Sequence, residues 1–296
     1  MTYGPGVVLV VVASVLWSAM GLVIRQIDEA GTWAILFWRS AGMVPVLLAF
    51  IAWRNGGALI APLRRVGWPG LVGGLGLVAA FAGAIYAIQA TTVANAVFLF
   101  AASPFLAAVL GFLLLGESVR SATWAAIALA GIGIFLMVRE GLSMGALTGN
   151  LAALLSAAGF ATFTLSLRWG RLNDMLPAIA LGGVMSMIAA ALVLTVQPGT
   201  LAVPPRDIVI SMGMGAGLLA AGMMLYTLGS RVIPAAELTL LTMVEVMLAP
   251  VWVWALMGET ASPGTLAGGA VLMTAVAFNA LSGMRRRPLA PPIPPV

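Results

Sequence analysis

The sequence predicts an all-α polytopic membrane protein, with ten transmembrane helices arranged as two inverted five-helix repeats. Three observations predict it. The chain of 296 residues is 62% hydrophobic and only 8% charged, whereas a soluble domain carries roughly a quarter charged residues. Apolar runs of about 20 residues recur from end to end, the length of a bilayer-crossing helix. Helices are the spans that satisfy their own backbone hydrogen bonds in lipid. Finally, the stretch 102–118, A-S-P-F-L-A-A-V-L-G-F-L-L-L-G-E-S, returns 142 residues later as V-E-V-M-L-A-P-V-W-V-W-A-L-M-G-E-T at 244–260. Leu106/Leu248, Ala107/Ala249, Val109/Val251, Leu114/Leu256, Gly116/Gly258 and Glu117/Glu259 coincide.

In order, the expected spans are 6–24, 33–53, 67–88, 93–115, 122–138, 148–167, 176–196, 208–228, 235–257 and 264–283. The first follows M-T-Y-G-P-G, with no basic residue ahead of the apolar run and no convincing cleavage site behind it. It therefore reads as a membrane span and not a removable signal. Asn55-Gly56-Gly57 supplies the turn after the second span. Gly73, Gly76, Ala80, Gly83 and Ala87 line the third, and Gly213 and Gly217 the eighth, as small-residue faces for close helix packing. Gly116 and Gly258 end the fourth and ninth spans in a conformation that favours glycine. The Glu after each is expected to accept N–H groups from the start of the next span. Pro198-Gly199, Pro204-Pro205 and Ser262-Pro263-Gly264 mark later loops. Residues 285–296 open with three arginines, continue Pro-rich, and are expected to be disordered.

The repeat divides the chain into 1–141 and 142–284. Five spans is an odd number, so the second copy enters the membrane upside down, as in many secondary transporters. A second match, at a shift of 143, lays Trp17–Arg25 over Phe160–Arg168. Orientation follows from the loop arginines. With the N-terminus in the cytoplasm, inside segments hold Arg54, Arg64, Arg65, Arg120, Arg168, Arg171, Arg231 and Arg285–Arg287, while outside loops hold only Arg25, Arg139 and Arg206. Both termini are thus placed inside.

Composition excludes several functions. All 14 basic residues are arginine, and the net charge of +5 reflects loop arginines rather than a nucleic-acid surface. With no cysteine and no histidine, thiol chemistry, Ser-His dyads and histidine metal sites are absent. No Walker motif or metal-ligand cluster occurs, so neither ATP nor a cofactor is expected, and the chain does not read as an enzyme.

The two Gly-Glu-ended runs on two five-span halves resemble EamA-type permeases of the drug/metabolite transporter superfamily, over about residues 7–283. Its aromatic span faces are similar to those of the amino-acid exporter branch, including the aromatic amino-acid exporters. That resemblance implies a bacterial inner-membrane exporter of small metabolites. Where the family reads Glu-Pro in the second half, this chain has Glu245-Val246, with proline at Pro250.

Candidate site residues follow from polarity in an apolar setting. Glu245 is the acidic residue nearest the middle of a span. Its burial costs on the order of 3 kcal/mol, so it faces the interior. It shares a helix face with Thr242, Ala249 and Trp252. Either it binds an ammonium group or exchanges a proton, or it is a protonated structural residue. Arg39 either snorkels to the headgroups, pairs with a carboxylate, or receives a substrate carboxylate. Ser14, Trp17, Ser18 and Gly21 form one stripe; Ser156, Phe160, Phe163 and Thr164 form its counterpart. Tyr86, Tyr226 and Phe98 are further candidates. Asn95 and Glu237 occupy matching repeat positions near opposite faces, either as gate residues or as favourable helix starts. The expected function is export of an amino acid or similar amphiphilic compound by alternating access. The expected partners are that small molecule, the bilayer and, as a candidate coupling ion, the proton. The expected state is a monomer or weak dimer. A proton-coupled multidrug exporter is the alternative, followed by a channel or membrane enzyme.

Overall fold

The computed structural model describes residues 2–143, 145–172 and 174–284; the tail 285–296 lies outside them. Among the described residues, ten helices are long and apolar enough to cross a membrane. They are α1 (Tyr3–Ile24), α2 (Thr32–Arg54), α3 (Gly67–Ala90), α4 (Val93–Leu115), α5 (Ser121–Glu140), α6 (Leu147–Trp169), α7 (Leu176–Val196), α8 (Pro205–Val232), α9 (Glu237–Met257) and α10 (Pro263–Gly283).

Three of them are irregular. A one-residue interruption at Ala19 divides α1. The break in α4 separates Val93–Phe100 from Ser103–Leu115, with Pro104 in the first turn of the second piece. Proline is at home there, since the first-turn N–H has no helical partner. Pro45 and Pro250, in contrast, lie inside continuous helices. In α8, Met214–Ala220 widens into a π-turn, which inserts a residue and rotates the faces that follow.

Small residues set the closest packing. On α3, added Cβ atoms at Gly76 and Gly83 would stand 2.7 Å from the carbonyls of Gly159 and Ala152 on α6, and Gly73 lies under Ser166. Ser156 Oγ donates to the Ala80 carbonyl across this seam at 2.7 Å. The expectation for α8 fails in part. Gly213 and Gly217 meet nothing, whereas Gly215 abuts the backbone of α2 and Gly222 lies under the Trp17 indole. Gly215 and Gly222, seven residues apart, define a different face of α8 from the one Gly213 and Gly217 share.

Packed pairs include α3 with α6, α1 with α8, α2 with α7, α5 with α10, α1 with α9 and α4 with α6. Shifting α3–α6 by one repeat yields α8–α1, and α4–α6 yields α9–α1. The most buried spans are α2 and α3; on α2, Ile35, Leu36, Met43 and Leu47 are fully inside. A smaller cluster joins Phe105 to Ala126, Ala130, Leu272 and Ala275 where α5 meets α10.

Candidate functional site

Glu245 sits twelve residues before the end of α9, near the middle of the span. One side of α9 is exposed through Met247, Val251 and Trp254, and the other is buried at Ala249 and Val253. Helical spacing places Glu245 and Thr242 on the buried side. Even there Glu245 is only half-buried, and it makes no hydrogen bond or ion pair among the described residues. Thr242 satisfies its own hydroxyl on the Thr239 carbonyl at 3.0 Å.

Two turns along the same face, Trp252 Nε1 donates to Ser18 Oγ of α1 at 2.9 Å. Beside Ser18, the Trp17 ring lies 5.5 Å from that of Tyr226 on α8. The buried Trp17 Nε1 has no partner among the described residues. Hence α9, α1 and α8 form one wall carrying a carboxylate, two hydroxyls and three aromatic rings. Ser14, behind it, bonds to its own helix at the Val10 carbonyl.

On α6, the expected stripe divides. Ser156 and Phe163 are buried against α3, so Phe163 is a packing residue; its position follows the glycines opposite it. Phe160 instead is 39% exposed, although Ala153, Ala157 and Ala161 on the same side are buried. Its ring stacks at 5.8 Å on Phe163. Thr164, one turn on, is half-buried and bonds back to the Phe160 carbonyl.

Other expected residues lie elsewhere. Gly21 abuts Val93 of α4, and Phe98 rests on Gly269 of α10. Both are helix contacts, because each meets a residue whose shape it fills. Tyr86 is 42% exposed and lines a lateral cavity of about 500 Å³ with Trp33, Gly83, Leu155 and Gln197. None of the other expected pocket residues lines that cavity. Arg39 does not snorkel. It is 3% exposed, its guanidinium stacked 4.6 Å from the Phe81 ring centre.

The two faces are fastened by polar contacts. At the face where α1 ends, Arg25 Nε donates to Glu259 at 2.8 Å and its Nη2 to the Thr91 carbonyl at 2.7 Å. The other Glu259 oxygen accepts the Val93 N–H at 2.6 Å. Glu259 therefore caps α4, not the following helix as expected; α10 is capped by Ser262, whose Oγ accepts from Thr265 N. Asn95, 4% exposed, donates to Asn150 of α6 and accepts from Thr265. Ser262 extends this network to Glu140. At the other face, Arg168 donates to Glu117 at 2.6 Å and to the Ala107 carbonyl at 3.0 Å. There Tyr3 donates to Glu237. A shift of 142 to 143 residues carries Glu117 onto Glu259 and Arg25 onto Arg168. These ion pairs were visible in the repeat as matched Arg and Gly-Glu ends, but only the packing of α1 on α9 and of α6 on α4 joins them. Gly116 and Gly258 take the left-handed conformation, φ 66° and 69°.

Residues 4–139 match the EamA-like transporter family. That match spans the first five helices. A solved chain described only as "Crystal structure of protein" superposes on 96% of this chain and 100% of its own with a TM-score of 0.66, at 17% sequence identity. At that identity it shows the fold alone. No curated protein matches the chain in sequence.

Proposed function

We propose that the protein is a secondary transporter that exports a small amphiphilic metabolite, an amino acid or similar compound, by alternating access between two inverted five-helix halves. Glu245 carries the reading. A mid-span carboxylate without a protein partner is expensive in hydrocarbon and marks a pathway or ligand site. It lies on the wall that also bears Trp17, Trp252, Tyr226, Ser18 and Thr242. An ammonium group fits the carboxylate and an apolar side chain fits the rings. Phe160, exposed on an otherwise buried face of α6, supports an opening on the inner side of the bundle.

Alternating access is supported by the matched fastenings. Arg25–Glu259 and Arg168–Glu117 are equivalent under the repeat yet lie on opposite faces. In the proposed cycle one closes as the other opens. Asn95 with Asn150, and Glu237 with Tyr3, belong to the same two gates. The arginine bias of the loops supports both termini on the cytoplasmic side, and the likeness to EamA-type permeases supports a bacterial inner membrane. We take it to act as a monomer.

The test is flux of a labelled amino-acid panel in proteoliposomes, with and without a pH gradient. Saturable flux of at least one member, reduced about tenfold or more in Glu245→Gln through loss of a charge-assisted contact, is expected. Absence of saturable flux for every member would end the amino-acid reading. Undiminished flux and unchanged pH dependence in Glu245→Gln would return that residue to a structural role.

A further inference from the structure

Arg39 lies seven residues into α2, roughly 10 Å from the start of the helix. Its Nε and Nη2 are buried with no hydrogen-bond partner among the described residues. Arg25, Arg54, Arg168 and Arg206 each meet a carboxylate; Arg39 meets only the face of Phe81 on α3. A ring face offsets only a small part of what a guanidinium loses away from water.

Two more unpaired groups lie on the same packed elements. Ser40 Oγ, next in the chain, and Ser211 Oγ of α8 are fully buried and without partners. The two helices touch backbone to backbone here: a Cβ on Gly215 would strike the Arg39 carbonyl, and one on Gly42 the Met212 carbonyl. Where α2 packs on α3 and α8, then, one guanidinium and two hydroxyls are buried without hydrogen-bond partners among the described residues.

We propose that Arg39 is an anion subsite that receives the carboxylate of an organic monocarboxylate. The planar fork of a guanidinium matches a carboxylate with two parallel hydrogen bonds. A single arginine with hydroxyl neighbours fits one negative charge, whereas a phosphate dianion calls for further cations. Entry requires α8 to lift from α2, and the glycine seam at Gly42 and Gly215 is where they part. Arg39, about 10 Å into α2, and Glu245, near the middle of α9, are of opposite sign, and neither has a hydrogen-bond or ion-pair partner among the described residues. Resting on the transporter reading above, this subsite would receive the carboxylate of the exported amphiphilic compound.

The test measures binding to the protein in lipid nanodiscs by calorimetry. Its probes are 3-phenylpropanoate, the uncharged 3-phenylpropanamide, phenethylamine and L-phenylalanine. The wild type should bind 3-phenylpropanoate about tenfold or more tighter than the amide. Arg39→Met should abolish that preference without weakening phenethylamine binding. Equal binding of acid and amide by the wild type overturns the proposal, and that comparison requires no variant to fold. So does an Arg39→Met protein that retains the preference for the acid. Arg39-dependent binding of 3-phenylpropanoate without any binding of L-phenylalanine would keep the anion subsite and remove the amino-acid reading. Binding of L-phenylalanine that ignores residue 39 would do the reverse.

Discussion

Replacing Glu259 by Gln should loosen one face of the bundle far more than replacing Glu117 by Gln loosens the other. The two glutamates are repeat mates, but their surroundings differ. Arg25 and Glu259 are 23% and 20% exposed at the side chain, and Glu259 also accepts the Val93 N–H. Glutamine keeps the shape but has one acceptor oxygen where the carboxylate uses two, so one of these bonds is lost and the other weakened. At about 1 kcal/mol lost per bond, the closed face loses about 2 kcal/mol, close to thirtyfold in the opening equilibrium. A face open about 1% of the time would then be open about a quarter of the time. Arg168 and Glu117 are 40% and 35% exposed. Discounted for solvent screening, that pair contributes about 0.5 kcal/mol, or roughly twofold. Because the chain has no cysteine, fluorophores on Thr148→Cys and Thr260→Cys, both at exposed positions, report this face without background labelling. Single-molecule energy transfer in nanodiscs should show a separated population that grows strongly with Glu259→Gln and barely with Glu117→Gln. Identical distance distributions for wild type and Glu259→Gln would refute the reasoning.

Further outcomes are expected. Gly159→Ala places a Cβ 2.6 Å from the Ala80 nitrogen and against the Gly76 carbonyl; both are backbone atoms that cannot swing aside. Overpacking of about 3 kcal/mol, less about 1 kcal/mol of gained helix propensity, leaves about 2 kcal/mol of destabilisation. Gly217→Ala, in open space, should be neutral, and titration with SDS should separate the two. Asn150→Leu leaves Asn95, 4% exposed, short of an acceptor and should lower the unfolding free energy by about 1–3 kcal/mol, and with it the midpoint; an unchanged midpoint counts against the network. Trp252→Phe removes the bond to Ser18 and should weaken transport or binding of the same substrate by about fivefold. A change in expression alone, with kinetics intact, contradicts a role in the site.

Much of the fold could be read before any coordinates. Ten apolar runs bounded by turn residues can only be crossings, and the Gly-Glu ends located two tight turns to the residue. The glycine face of α3 was equally legible, since periodic small residues have little other use. The π-turn of α8 was not. Nothing in M-G-A-G-L-L-A signals it, and its close contact is with the carbonyl of Arg39, a tertiary partner. Nor could the small residues of α8 alone say which of its faces packs: Gly215 and Gly222, and not Gly213 and Gly217, touch neighbours. The candidate site was partly legible. Glu245, Trp17 and Phe160 stand out as polar or aromatic residues on inner faces. Phe163 and Phe98 carry the same chemistry, but which ring packs and which stays open depends on the helix opposite. The partners of Glu117 and Glu259 required knowing that α6 lies on α4 and α1 on α9.

The joint in α4 has a mechanical consequence. Its first piece, Val93–Phe100, is bonded at one face to Glu259 and Asn150; its second, Ser103–Leu115, is held near the other by Arg168 on the Ala107 carbonyl. A rod clamped at both ends would pass any tilt at one surface directly to the other. Two links meeting at a pin do not. Each surface of the membrane can pull on its own link, and the load is met at Ala101–Ala102 before it crosses the bilayer.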